Sequence, residues 1–349
     1  MLDRMLTHPE LLELVNELAL QRRIVGPVAR DGRYFYEEVT RATDLDLTFN
    51  YCVYSPRGAL FPPQETLFVF KRTNGTFTAE PVIDVRPTAL VGVHPCDIHA
   101  IRLLDHVFEQ DQRDEHYLSR RAHTMIVGID CQRPCTEGVF CADMETNAAD
   151  KGFDVMLYPL SDPGATEPLY GVVYGTSIGR DWVLYGRRGR IPTATDERTF
   201  EQYQRHKTDA FPRMLRMKAD ELPALLDRSY DSLLWEATAR RCYSCGSCNL
   251  SCPTCYCFNI LDETDLSGTT GRRERTWDGC HLREFAEVAG GHNFRPKAGS
   301  RLRHRIYRKA KWIRQRTGLP GCVGCARCDR ACTAKINSVE IYNQLAEEV

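Results

Sequence analysis

The sequence predicts an α+β chain: a mixed α/β domain over residues 1–195, followed by an all-α domain over residues 196–349. Three observations predict it. Short β-rich runs alternate with helical spacing only before about residue 196, and beyond it strand signals nearly vanish. Eleven of the sixteen cysteines lie from Cys242 onward, a composition shift that marks a boundary. The length of 349 residues leaves room for two domains, at about 150 residues each.

Taken in order, Pro9 to Gln21 carries apolar residues at helical spacing (Leu11, Leu14, Val15, Leu18). Short β-rich runs follow: Leu67 to Phe70, Ala89 to Val93, Thr124 to Ile129, Val155 to Leu157 and Val172 to Tyr174. Between the second and third, Asp97 to Phe108 reads as a helix with Ile98, Ile101, Leu104 and Phe108 on one side. That makes a strand–helix–strand unit. Phe200 to Ala239 is helical in pattern, broken near Pro212 and Pro223.

Composition excludes several classes. Hydrophobic residues make up 42% and charged residues 27%, which is ordinary globular usage. The longest apolar stretches, such as Met125 to Ile129, are too short to span a bilayer. The first twenty residues carry Asp3, Glu10, Glu13 and Glu17, so no basic start leads into an apolar signal core. A cytoplasmic protein without a membrane span is expected, and its thiols should stay reduced. Sixteen cysteines there point to metal rather than disulfides. The net charge of −1 gives the whole chain no preference for nucleic acid. Yet ten Lys and Arg residues lie between Arg295 and Arg316 with no acid among them. Such a run is either a solvated helix face or a docking surface for an acidic partner.

The cysteines are spaced as two runs, Cys242-x2-Cys245-x2-Cys248-x3-Cys252-Pro253 and Cys322-x2-Cys325-x2-Cys328-x3-Cys332. Three thiolates at this spacing wrap three irons of a [4Fe–4S] cube, and the fourth ligates the other cube. Cys242, Cys245, Cys248 and Cys332 are thus expected to hold one cluster. Cys322, Cys325, Cys328 and Cys252 are expected to hold the second. Structural zinc uses separated pairs and fits two complete runs poorly. The runs stand 70 positions apart with helix-like sequence between them. That resembles the all-α ferredoxin domain of reductase iron–sulfur subunits. The basic run lies just before Cys322, so it should also bias the clusters' potentials.

Five cysteines precede the runs. Cys96 follows the strand-like Ala89 to Val93, and Cys131 follows Thr124 to Ile129. If those strands are parallel, both emerge at the carboxyl edge of one sheet, where open α/β sheets place ligands. Cys135 and Cys141 lie in the next loop, so four thiols converge, enough for a third cluster. The alternative is four reduced core thiols. Cys255, Cys257 and Cys280 are candidate extra ligands or packing residues, and Cys52 stands alone. There is no G-x-G-x-x-G, P-loop, Gly-x-Ser-x-Gly or His-Glu-x-x-His. No substrate-transforming site is legible, and the visible chemistry is one-electron transfer.

Further pieces carry a resemblance: Ser55-Pro56-Arg57, Phe61-Pro62-Pro63-Gln64-Glu65-Thr66-Leu67, Gly92-Val93-His94-Pro95-Cys96-Asp97, Cys252-Pro253-Thr254-Cys255-Tyr256-Cys257-Phe258, Trp277-Asp278-Gly279-Cys280 and Gly290-Gly291-His292-Asn293. From about residue 50 to 340 the chain resembles the β subunit of sulfhydrogenase-type cytosolic [NiFe] hydrogenases. It also resembles that subunit's relative, the iron–sulfur protein of anaerobic sulfite reductase. The resemblance implies a non-catalytic electron-transfer subunit with two [4Fe–4S] clusters. Its implied partners are a flavin- and NAD(P)-binding subunit, together with the hydrogenase small and large subunits. The alternative is a sulfite or related reductase with the same wiring. A reading from another class, an iron–sulfur redox sensor, lacks any recognisable DNA-reading module.

Overall fold

A computed structural model of the chain describes residues 1–161 and 168–348. Its strands are β1 (Arg4–Thr7), β2 (Arg23–Arg30), β3 (Arg33–Val39), β4 (Gln64–Thr73), β5 (Thr76–Pro81), β6 (Thr88–Val93), β7 (Thr124–Ile129), β8 (Val155–Pro159), β9 (Leu169–Tyr174), β10 (Phe258–Thr264) and β11 (Thr270–Trp277). They form a seven-stranded sheet ordered β1-β9-β8-β7-β6-β2-β3 and a four-stranded sheet ordered β10-β11-β4-β5.

The centre of the larger sheet follows from composition. β6 and β7 read TALVGV and TMIVGI, and all six positions of each are buried, as parallel strands covered on both faces require. Their side chains alternate. Ala89, Val91, Met125 and Val127 face the helix His8–Ala19 through Leu11, Leu14 and Leu18. Leu90, Ile126 and Val93 face the helix Pro95–Glu109 through Ile98, Ile101 and Leu104. The first helix starts at a capping box, Thr7 with Glu10, which satisfies two otherwise free amides. β2, β6, β7 and β8 run parallel to one another. The segments after β6 and β7 therefore leave at the same edge.

Beyond residue 210 the helices Leu222–Arg228, Leu234–Ala239, Ala298–Tyr307 and Ser338–Glu348 enclose a second core with Leu222, Trp235, Leu302, Ile306, Tyr342 and Leu345. Phe140 and Met144, from far upstream, pack into it too. The helix Ala298–Tyr307 continues through a π turn, Arg308–Trp312, into Ile313–Thr317. Among the described residues no helix is long and apolar enough to cross a membrane.

The expectation of an α+β chain with an all-α second half is corrected here. The chain is mixed α/β with two sheets, and residues 196–349 contain the hairpin β10–β11, which extends β4 and β5 into the smaller sheet. Its strands are mostly exposed, and charges carry the cross-strand pairing: Arg273 to Asp262 at 2.7 Å, Arg272 to Glu263 at 2.7 Å. A strand stabilised by opposed charges lacks the alternating apolar signal by which half-buried strands are read.

Candidate metal centres

Each four-cysteine run folds the same way. Two residues past the first cysteine the backbone turns left-handed, at Ser244 (φ 53°) and Gly324 (φ 64°), and again four past it, at Gly246 (φ 75°) and Ala326 (φ 52°). A one-turn helix follows in both, Ser247–Leu250 and Arg327–Arg330. The glycine takes one of the two left-handed positions in each run, where an L side chain is strained. Amide donors point at sulfur: the Ser244 N–H to Cys242 Sγ at 3.4 Å and the Ile336 N–H to Cys332 Sγ at 3.4 Å.

Two cavities separate the runs. One is lined by Cys242, Cys245, Cys248 and Cys332, with Cys328 on its wall. The other is lined by Cys252, Cys322, Cys325 and Cys328. Cys252, the last cysteine of the first run, thus stands among the cysteines of the second, and Cys332 among those of the first. Arg305 lines both cavities. Burial pushes the Cys248 thiol up to about 11 and the Cys322 thiol up to about 12. Cys252 is held well below its usual range by a hydrogen bond from the Cys255 thiol and by Lys309 and Arg305. Among the described residues no three His, Cys, Asp or Glu side chains stand close enough to grip a single ion. The thiols ring cavities instead.

The basic run is only partly a surface. Arg301, Arg305 and Lys309, at spacings of four, turn inward and are 5%, 6% and 6% exposed. Lys309 Nζ donates to Thr254 Oγ1 at 2.7 Å, Arg305 to the Cys248 carbonyl at 3.3 Å, and Arg301 to the His281 carbonyl at 3.1 Å and Ser244 Oγ at 2.8 Å. Among the described residues none of the three has a carboxylate within 4.0 Å, and Arg305 Nε has no partner at all. Buried charges are costly unless compensated. What Arg305 and Lys309 face is thiol sulfur: Cys248, Cys328, Cys252 and Cys255 surround the one, Cys252 and Cys255 the other. The docking-surface expectation therefore does not extend to these three. Lys297 and Arg316 remain exposed.

The other cysteines gather in two places. Cys131, Cys135 and Cys141 pack together with Val139, Phe211 and Ala326, while Cys96 packs with Ala100, Val323 and Cys325. Cys255 and Cys280 flank Asn249, whose amide donates to both sulfurs at 3.6 and 3.5 Å, and Cys257 lies in the field of Cys280. These three line neither of the two cavities. Cys52 is fully buried, and its carbonyl accepts from Arg327 Nε at 3.0 Å.

Residues missed in the sequence include Asp97 and Arg57. Asp97 forms a buried, two-pronged ion pair with Arg327 at 2.6 and 2.8 Å, tying the helix after β6 to the second cysteine run. Arg57 donates to the Leu250 carbonyl at 3.0 Å and to the Cys255 carbonyl, and its guanidinium lies 3.6 Å over the Trp277 ring. Asp97 sits one residue after Cys96, and Arg327 one before Cys328. Both Asp97 and Arg57 fall in stretches that carry the resemblance, but nothing in the sequence pointed to their partners.

Residues 241–336 match the family model of a 4Fe-4S dicluster domain. Over 337 residues, 96% of this chain and 96% of the relative, the sequence is 33% identical to Sulfhydrogenase 2 subunit beta of Pyrococcus furiosus.

Proposed function

The chain belongs to the family of sulfhydrogenase β subunits, and on that premise we propose that it is the iron–sulfur electron-transfer subunit of a multi-subunit oxidoreductase. Two [4Fe–4S] clusters would be held by Cys242, Cys245, Cys248 with Cys332, and by Cys322, Cys325, Cys328 with Cys252. A bound cube supplies a one-electron carrier. The protein holds it, excludes water and compensates its charge.

One observation carries the reading. Each crossed-over set of four cysteines lines one cavity, and buried cations without carboxylate partners stand beside them, Arg305 at both cavities and Lys309 at the second. A cube bound by four thiolates is anionic, so the residues present fit it. The partners on this reading are a flavin- and NAD(P)-binding subunit, together with the hydrogenase small and large subunits.

Anaerobic iron and acid-labile sulfide assays on the purified chain test the proposal. At least about eight irons per chain are expected, four for each cube. Stoichiometric zinc in place of iron overturns it. Affinity capture from the native host, followed by mass spectrometry, should return hydrogenase and flavoprotein subunits. Capture of sulfite-reducing subunits would reassign the complex and keep the electron-transfer role.

A further inference from the structure

Within that iron–sulfur reading, we infer that Cys96, Cys131, Cys135 and Cys141 hold a third iron–sulfur cluster, at the carboxyl edge of the seven-stranded sheet and next to the second cavity. Topology brings them together. β6 and β7 are parallel neighbours, paired from Thr88↔Thr124 onward. Cys96 is the second residue of the helix after β6, and Cys131 is the second residue past β7. Both therefore stand at the edge where open α/β sheets bind their ligands.

The loop after Cys131 completes the set. It has no helix or strand until β8, yet Phe140, Cys141, Met144 and Thr146 within it are buried. It is fastened to the second cysteine run: the Phe140 N–H donates to the Gly324 carbonyl at 2.8 Å, and Thr146 Oγ1 to the Val323 carbonyl at 2.7 Å. Gly324 is itself explained by this contact, because a Cβ there would stand 2.5 Å from the Cys141 amide nitrogen. The loop thus delivers Cys135 and Cys141 beside Cys131, and Cys141 lies in the field of both Cys96 and Cys325. Cys325 lines the second cavity, so the two sites adjoin.

Charge supplies an independent reason. Arg330 reaches toward Cys135, stacks 4.0 Å over the Tyr51 ring and donates from Nη2 to the Cys325 carbonyl at 3.0 Å. Its Nε and Nη1 are buried with no partner. A buried, unsatisfied guanidinium nitrogen is strongly disfavoured, and a neutral thiol, a weak acceptor, recovers little of that cost. An anionic cluster bound by four thiolates gives those donors a counter-charge. On its other side the set borders a cleft of about 370 Å³, lined by Cys131, Cys135, His94 and Phe49. The third site thus stands between the second cavity and the surface.

The test uses the full-length protein, reconstituted anaerobically. Wild type should bind about twelve irons, and the Cys131→Ser/Cys135→Ser double variant about eight, with circular dichroism and elution volume unchanged. An unchanged iron count in the folded variant overturns the third site and leaves the first two standing. A wild type without iron overturns the electron-transfer reading itself. Alkylation of wild type supplies a measurement that needs no variant. Cys131 and Cys135 border the open cleft, so as cluster ligands they should resist iodoacetamide until the iron is chelated. Rapid labelling with the iron complement retained sinks the proposal. Arg330→Gln should keep the iron count and change the electron paramagnetic resonance of one cluster only.

Discussion

Arg305 and Lys309 differ in one respect that an experiment can read. Arg305 borders both cavities, whereas Lys309 borders only the second. A nearby positive charge favours the reduced, more negative state of a cluster, so removing it should lower the midpoint potential. Arg305→Gln is expected to lower both potentials and Lys309→Gln only one, as measured by redox titration followed by electron paramagnetic resonance. A downward shift of both in Lys309→Gln would contradict the placement. The positive run was plain in the sequence, and so was its nearness to Cys322. That Arg301, Arg305 and Lys309 face inward was not legible, because Lys and Arg are almost never buried without a partner. The compensating groups come from loops up to 57 residues away in sequence, Cys248 to Arg305 among them. Spacing patterns within one helix carry no trace of them.

At the level of single elements, the hairpin β10–β11 hides its anchor. Arg275 is 2% exposed, pairs with Glu65 at 2.5 Å and with Asp114, and lies 4.9 Å over the Phe61 ring. Its neighbour Arg273 pairs with Asp262 in the open, at 42% and 48% side-chain exposure. Arg275→Ala should cost about 3 kcal/mol, because Asp114 loses its arginine and Glu65 is left with Arg120 alone. Arg273→Ala should cost no more than about 1 kcal/mol. Chemical denaturation of both variants compares them directly, and near-equal losses would refute the distinction. The helix Ala298–Tyr307 makes a pH-dependent contribution. Burial, with Arg295 and Arg308 nearby, lowers His304 from 6.5 to about 4. The unfolded chain then binds the proton more readily, so stability should fall as pH drops from about 6.5 toward 4. His304→Phe should flatten that part of the profile in thermal melts. The strands β6 and β7 were legible because every residue in them is buried and nearly all are apolar. β2 was not, since Gly26 and Pro27 interrupt its apolar run, and β3 and the hairpin were not, since they carry charges that strand patterns are meant to exclude.

Across the whole molecule, the two ends of the chain are held by buried polar ties. Asp97 to Arg327 is one, at 1% and 3% side-chain exposure. Arg57 to the Leu250 carbonyl and Thr146 to the Val323 carbonyl are others. A division at residue 195 therefore concerns sequence organisation more than independence. Residues 1–195 expressed alone would leave Asp97 without its counter-charge. They are expected to aggregate or to melt far below the full chain; a soluble fragment with the full chain's melting temperature would show the ties to be dispensable. Asp97→Asn in the full chain should destabilise by about 3–5 kcal/mol, since it leaves Arg327 unpaired. The two cysteine runs could be read from spacing alone. The ties could not, because each joins residues far apart in sequence, 177 positions for the shortest.

The π turn at Arg308–Trp312 sets a rule for how the chain length between the cysteine runs can vary. Its Ile313 N–H bonds back to the Arg308 carbonyl, five residues away, so the helix carries one residue more than its turns need. Losing Ala310 would return the segment to ordinary winding with the helix on either side undisturbed. Losing Leu302 would swing everything beyond it by about 100°, since no slack exists there. Relatives that differ by a single residue within the helical stretch 298–317 should therefore place the gap at 308–312. Gly321 guards the same spot: a Cβ there would lie 2.6 Å from the Lys309 carbonyl. What an alignment would record as one inserted residue is, in three dimensions, a widened turn against whose carbonyls Gly321 packs.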